Sequence, residues 1–183
     1  MIIYQSKNFH GFTLVELIIT MAIAGILFSS AIPAFSNMLV HNQQTSVLQI
    51  LFTHLNFARA EAIKSNHHVL LCKSSNGNQC STTTSWSDGW LIFSDTDNNK
   101  MVNDDEHVIY TQQSLPRNIS LDYKGFGSKN YFRYYPDGRS SANGTFTLCS
   151  HSDEKSALVI IISRVGRARI DTKSSSGKTL TCS

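Results

Sequence analysis

A continuous apolar run near the amino terminus constrains this chain more than any other feature. The run extends from Leu14 to Phe35 and contains one ionisable residue, Glu16. As an α-helix it would be about 33 Å long, which is enough to cross the hydrocarbon core of a membrane once. We therefore predict a membrane anchor, in which the Glu16 carboxylate needs a partner because an isolated charge in a membrane helix is costly.

The residues before the apolar run do not form an ordinary secretory signal. Residues 1–11, MIIYQSKNFHG, are short and carry Lys7 and His10. A secretory signal is cleaved after its apolar region, near small residues, but here the apolar region would stay on the mature protein. This order predicts a short leader followed by a retained anchor.

The pattern becomes amphipathic after Pro33. Apolar residues recur every three or four positions along one helical face, at Leu48, Leu51, Leu55, Ala58 and Ala62. We predict that the helix continues to about Ser65 and packs this face under a sheet. The polar residues expected to remain available to solvent or neighbours are Gln43, Gln44, Asn56, Arg59 and Lys64.

Beyond Asn66 the chain reads as short strands, because runs of β-branched and aromatic residues alternate with turn residues such as Pro136-Asp137-Gly138. The predicted strands are 68–73, 89–94, 107–112, 119–123, 131–135, 145–150, 158–163 and 167–171. The fold class is therefore α+β, a long helix on an antiparallel sheet. The segments are a leader (1–11), an anchor helix (12–35), its amphipathic continuation (36–65) and a β-rich head with a basic tail (66–183).

The four cysteines, Cys72, Cys80, Cys149 and Cys182, form no CxxC pair and have no histidine at metal-finger spacing, which favours disulfides and an oxidising compartment. Three pairings are possible. We prefer Cys72 with Cys80 and Cys149 with Cys182, although the sequence leaves the connectivity open. Since no cysteine is free and no HExxH, Gly-x-Ser-x-Gly or phosphate-loop motif is present, we predict no enzymatic activity and no cofactor.

The hexapeptide Gly11-Phe12-Thr13-Leu14-Val15-Glu16 resembles the processing motif of type IV prepilins. The resemblance implies that a prepilin peptidase cleaves after Gly11 and methylates Phe12, and that Glu16 neutralises the terminal amine of a neighbouring subunit. Later segments, including the run from Ile162 to Arg169, resemble the GspH/FimT branch of minor pilins and pseudopilins. The resemblance implies a pilin fold.

Positive charge concentrates in the second half of the chain. Up to Glu106 there are five Lys/Arg against eight Asp/Glu, and from His107 onward eleven against five.

The run Gly166-Arg167-Ala168-Arg169 resembles the Gly-Arg-x-Arg pattern of DNA-binding FimT-type subunits. On a strand, Arg167 and Arg169 would share a face about 7 Å apart and reach phosphates, with Gly166 letting the turn approach the ligand. Arg164, Lys173 and Lys178 would extend the patch. The alternative is a hairpin feature shared with relatives that do not bind DNA.

Two further candidates are weighed against plainer interpretations. Asp95, Asp97, Asn99 and Glu106 stand at calcium-loop offsets, but Lys100 replaces the expected glycine and Asx turns explain the cluster, so we predict no metal.

Aromatic and basic residues interleave between 123 and 135 and could stack bases, but strand packing explains most of these rings. They are Tyr123, Lys124, Phe126, Lys129, Tyr131, Phe132, Arg133, Tyr134 and Tyr135.

The resemblance thus predicts a minor pilin that binds extracellular DNA without sequence preference, for DNA uptake in natural transformation (competence). Its partners would be DNA, other major and minor pilins, the prepilin peptidase and the inner membrane. It would begin as a single-pass inner-membrane prepilin with a periplasmic head and end in the pilus or at its tip. The alternative is a structural minor pilin or type II secretion pseudopilin that primes assembly without binding DNA. The sequence leaves open the neighbouring subunits, the preferred DNA form and any role in motility, adhesion or secretion.

Overall fold

The computed structural model describes residues 13–150, 153–173 and 182. The chain divides into two compact units, residues 1–39 and residues 40–183, which are described separately. Helix α1 (Leu14–Ser65) contributes to both. The predicted leader, with Gly11 and Phe12, lies outside the described residues, as does Lys178.

In the first unit, the described chain is the beginning of helix α1. Thr13 caps it, because its Oγ1 accepts the Glu16 N–H at 3.3 Å, which is the backbone half of a Thr-x-x-Glu capping box. Leu14, Ile18 and Ile26 are among the exposed apolar side chains. Over the described part of the chain, no helix combines the length and apolarity needed to cross a membrane, and the anchor predicted for residues 12–35 stays a prediction.

The described residues of the second unit form eight strands: β1 (His68–Lys73), β2 (Trp90–Asp95), β3 (Val108–Gln112), β4 (Ile119–Gly125), β5 (Tyr131–Tyr134), β6 (Gly144–Ser150), β7 (Asp153–Ile162) and β8 (Ala168–Asp171). A short 3₁₀ helix at Trp86–Asp88 precedes β2. All eight predicted strands are present. The largest difference in bounds is at β7, which begins five residues before its predicted start because the pair Ser150 and Asp153 extends the β6–β7 ladder through polar residues.

The strands form two antiparallel sheets, not the one sheet expected from the sequence. The first sheet has the order β3-β2-β1-β5, and the second sheet has the order β4-β6-β7-β8. The division into two sheets follows from the path of residues 126–143. After β4 these residues place β5 beside β1 in the first sheet, and the chain then returns to the second sheet, where β6 pairs with β4.

One hydrophobic core joins the amphipathic half of helix α1 to the inner faces of both sheets. All five predicted helix positions, Leu48, Leu51, Leu55, Ala58 and Ala62, are buried in it. Burial of a leucine of this kind stabilises the fold by about 1.5–3 kcal/mol. The amphipathic packing of helix on antiparallel sheet is therefore confirmed.

Both preferred disulfides are present. Cys72 is joined to Cys80 on the outer face of the first sheet, beside the smaller apolar cluster that contains Leu70, Leu91 and Phe93. Cys149 of β6 is joined to Cys182. The second bond attaches a residue near the end of the basic tail to the second sheet.

Candidate nucleic-acid interface

The predicted basic motif forms the tight turn between β7 and β8. The Gly166 N–H donates to the Ser163 carbonyl at 2.8 Å, and the Ser163 N–H donates to the Arg167 carbonyl at 3.0 Å. Gly166 has φ +81°, in the left-handed region that favours glycine. The turn leaves Arg164 and Arg167 exposed at its two ends.

Gly166 has a packing role in the fold, and its expected role in close approach to a ligand stays a prediction. It is buried against the turn that contains Gly138, and a Cβ at position 166 would overlap the Gly138 carbonyl oxygen. The glycine is therefore required for packing of one turn on another.

Arg59 of helix α1 joins these two turns. Its Nε donates to the Gly138 carbonyl at 2.9 Å and its Nη2 donates to the Val165 carbonyl at 3.2 Å. The expectation that Arg59 is free for solvent or neighbours is wrong, because its guanidinium satisfies two backbone carbonyls. The same expectation is wrong for Gln44, which is buried and donates to the Leu148 carbonyl at 3.1 Å.

Arg167 and Arg169 are both exposed, and Ala168 between them is buried in the core. Arg169 lies on β8 and Arg167 immediately precedes it. The alternation of side chains along a strand would place both on the outer face, and their spacing of about 7 Å stays a prediction. Strand β8 is an edge of the second sheet, so both exposed arginines are accessible at this edge.

The strand register adds a residue that sequence reasoning did not connect with the arginines. Lys124 pairs with Thr145, Thr145 with Ile161, and Ile161 with Arg169. These residues form one row across the outer face of the second sheet, with an exposed cation at each end. Only long-range pairing reveals this row, since nothing local in the sequence links residues 124 and 169.

An acidic row lies beside the basic one. Asp122 is connected through Thr147 and Val159 to Asp171. Asp171 Oδ2 lies 3.7 Å from Arg169 Nη2. Backbone N–H groups of Lys173 and Thr172, together with the charge of Arg169, lower the pKa of Asp171, so this carboxylate is ionised at neutral pH. An anionic ligand would therefore favour the Arg167 side of the basic row.

An open groove of about 850 Å³ lies at that side of the sheet. Its lining includes Lys124, Phe126, Asn143, Ile161 and Arg164. Lys173 is exposed beyond the end of β8, and its backbone N–H donates to Asp171 at 3.1 Å. The structure thus brings Arg164, Arg167 and Arg169 to one end of the second sheet. Lys124 lies at the same end on β4, the opposite edge strand from β8.

The aromatic and basic run between 123 and 135 divides as the plainer interpretation predicts. Tyr123, Phe132 and Tyr134 are core residues, and burial raises the pKa of Tyr123 to about 12. Arg133 is also buried, with Asp95 at 3.7 Å. Phe126 differs, because it is exposed.

The acidic loop after β2 brings carboxylate oxygens of Asp95, Asp97 and Glu106 within 4.8 Å of one another. Most of its hydrogen bonds are internal to the loop: Glu106 accepts the Thr96 N–H at 2.8 Å, and Asp97 accepts the Asn99 N–H at 3.0 Å. Such Asx-type bonds are a structural reason for the cluster. These hydrogen bonds favour the interpretation that the acidic cluster forms structural turns, and calcium binding is not proposed.

A long amphipathic helix under antiparallel sheets, preceded by an apolar helical segment, defines the class of pilin-like subunits. Comparisons with known proteins agree. The family described as Type II transport protein GspH matches residues 48–166, and the Prokaryotic N-terminal methylation motif matches residues 6–32. The chain belongs to the GspH family, as a type IV minor pilin or pseudopilin that carries the N-methylation motif. Proteins of this class are structural subunits and not enzymes.

Solved structures show the same fold. The type IV minor pilin FimU of Pseudomonas aeruginosa is similar over 78% of this chain and 97% of its own, with 17% identity and a TM-score of 0.56. The minor pseudopilin EpsH of the Vibrio cholerae type 2 secretion system is similar over 70% and 96%, with 12% identity and a TM-score of 0.52. A probable minor fimbrial protein of Dichelobacter nodosus is 50% identical over 42 residues, 23% of this chain. That match spans about a quarter of the relative's length, 26%.

Proposed function

We propose that this chain is a minor pilin of a type IV pilus that binds extracellular DNA without sequence preference, for DNA uptake in natural transformation. The observation that carries the proposal is the exposed pair Arg167 and Arg169, at the start of edge strand β8, with Arg164 and Lys124 at the same end of the sheet. Guanidinium groups at this spacing can each engage a backbone phosphate.

Binding through such contacts is electrostatic. Each phosphate neutralised by an arginine releases counterions, so affinity falls with salt, with a slope of about 0.9 per contact for duplex DNA. Asp171 lies beside Arg169, whereas Arg167 precedes β8 at the end away from the acidic row, so Asp171 reduces the field less at Arg167 than at Arg169. We therefore assign Arg167 the larger share of the affinity.

The proposal includes the maturation pathway implied by the methylation motif. A prepilin peptidase in the inner membrane cleaves after Gly11 and methylates Phe12, and Glu16 pairs with the terminal amine of a neighbouring pilin during assembly. Glu16 is exposed in the described subunit, so its carboxylate is accessible to a neighbouring subunit. The head is periplasmic before assembly, and the subunit then enters the pilus near its tip.

The test is a mobility shift of duplex DNA at several salt concentrations. The protein is the head from Val40 onward, which contains the hydrophobic core and both disulfides. The variant Arg167→Gln/Arg169→Gln should reduce affinity by tenfold or more and lower the salt slope by about 2.

The matched control is Arg117→Gln/Lys64→Gln. It removes the same charge, but Arg117 is exposed just before β4, at the opposite end of that strand from Lys124, and Lys64 is 80% exposed on helix α1. It should retain most of the binding. If the control variant loses as much affinity as the test variant, net charge and not a local site explains binding. If the parent head shifts no DNA at low salt, the rival function, assembly priming in a pilus or secretion pseudopilus, is the better account.

A further inference from the structure

One exposed aromatic side chain at the DNA-binding end of the head is not explained by packing. Phe126 is 92% exposed, the largest exposed fraction of any large apolar side chain described between residues 40 and 173. It follows directly after β4, where its N–H donates to the Asn143 carbonyl at 3.2 Å. The ring is therefore held at the edge of the second sheet by an anchored backbone.

The ring stands at the groove described above, which has the chemistry of a nucleotide site. Lys124 and Arg164 supply positive charge, Asn143 supplies an amide that can donate and accept hydrogen bonds, and Thr145 and Ile161 contribute strand surface. Among the described residues that line the groove there is no acidic side chain. The volume of about 850 Å³ is within the range of about 300–1,000 Å³ typical of small-molecule sites.

The groove adjoins the arginine pair through neighbouring residues, although neither Arg167 nor Arg169 lines it. Ile161 in its lining pairs with Arg169, and the N–H of Ser163, which also lines the groove, donates to the Arg167 carbonyl in the β7–β8 turn. Phe126 itself follows β4, which is the opposite edge of the sheet from β8, three strand spacings or about 14 Å away. A single strand of several nucleotides can therefore place one phosphate at Arg167 or Arg169 and a base at Phe126, with Lys124 and Arg164 beside that base.

We propose that this groove seats an unpaired base stacked on Phe126, so that single-stranded DNA is the preferred ligand. The inference rests on the proposed function and specifies its DNA form. Bases of a duplex are stacked on one another and cannot place a face on a protein ring without being flipped out, whereas every base of a single strand offers one. Electrostatics alone favours the duplex, because its charge density is higher. A single-strand preference would therefore have to arise from the groove.

The experiment measures fluorescence anisotropy of three labelled probes of equal length: oligo(dT), a duplex of mixed sequence, and an abasic strand that keeps sugar and phosphate. The protein is the full chain in detergent micelles, with residues 40–183 alongside. The parent should bind oligo(dT) at least fivefold more tightly than either other probe, and up to about a hundredfold for one stacked base.

The variant Phe126→Ala should lose this preference and keep its duplex affinity, and Phe126→Trp should restore it with quenching of the new indole fluorescence. Phe57→Ala, a partly exposed ring on helix α1, is the control and should change neither affinity. Unfolding temperatures are measured for all variants, and Phe126→Ala should melt with the parent because the Phe126 ring is 92% exposed.

The outcomes separate the two proposals. Equal binding of oligo(dT) and the abasic strand by the parent, or an unchanged preference in Phe126→Ala, overturns the base site but leaves duplex binding by the arginines intact. Both proposals are supported if Arg167→Gln/Arg169→Gln loses all binding and if Phe126→Ala, made in the parent, loses the preference for oligo(dT). If no probe binds the parent, both proposals fail.

Discussion

Replacement of Gly166 by alanine tests the packing of the basic turn. Alanine at φ +81° costs about 1–2 kcal/mol, since the left-handed region places Cβ against the backbone. The new Cβ also overlaps the Gly138 carbonyl oxygen and crowds Arg59 Nε. If the two turns separate, the two Arg59 hydrogen bonds are lost at about 0.5–1.5 kcal/mol each. The total expected loss of stability is about 2–5 kcal/mol.

Gly127 provides a matched control, because it has φ +103° but nothing within 4 Å of a Cβ added there. Gly127→Ala should therefore cost only the backbone part, about 1–2 kcal/mol. The assay is urea unfolding of residues 40–183 with the disulfides intact, supported by thermal melts at roughly 3 °C per kcal/mol. Equal losses for the two variants would refute the argument that Gly166 is fixed by contact with the Gly138 turn.

Three further predictions follow from particular contacts. Asp171→Asn removes the carboxylate beside Arg169 and keeps an oxygen for the turn, so duplex affinity in the mobility shift should rise about two- to fivefold. Burial lowers the pKa of His54 below its ordinary value of 6.5, so stability should fall as the pH drops below about 6.5. His54→Gln should reduce this dependence in urea melts between pH 7.5 and 5, and His68, whose pKa burial also lowers, should account for the remainder. Tyr134→Phe should be neutral or stabilise the head by up to about 1 kcal/mol in the same melts, because the buried Tyr134 hydroxyl has no hydrogen-bond partner among the described residues.

The elements that the sequence predicted well are those with a local cause. The helical stripe at Leu48, Leu51 and Leu55 is buried because its period matches the helix. The strands formed where β-branched and aromatic residues cluster between turn residues. The division into two sheets was missed, because it depends on where residues 126–143 lead the chain, and no periodicity records that path.

In the candidate site, too, features with a local cause could be predicted and features that depend on distant residues could not. Exposure of Arg167 and Arg169 follows from strand alternation around a small buried residue, and this could be predicted. Arg59 could not be assigned, since its two backbone partners lie 79 and 106 residues further along the chain. Lys124 was identified, but for base stacking and not as the far end of a row that ends at Arg169. Burial of Gly166 also has a tertiary cause.

The anchoring of the β7–β8 turn by Arg59 affects how sequence motifs of this kind should be used. Since Gly166 is required by the Gly138 turn and by the helix behind it, a glycine at this position marks a subunit that folds this way, whatever its ligand. Under the proposed function, the exposed arginines and their distance from acidic neighbours, and not this glycine, would distinguish a subunit that binds DNA. Transfer of the four-residue motif onto another pilin head should fail unless the recipient also supplies an arginine at the place of Arg59.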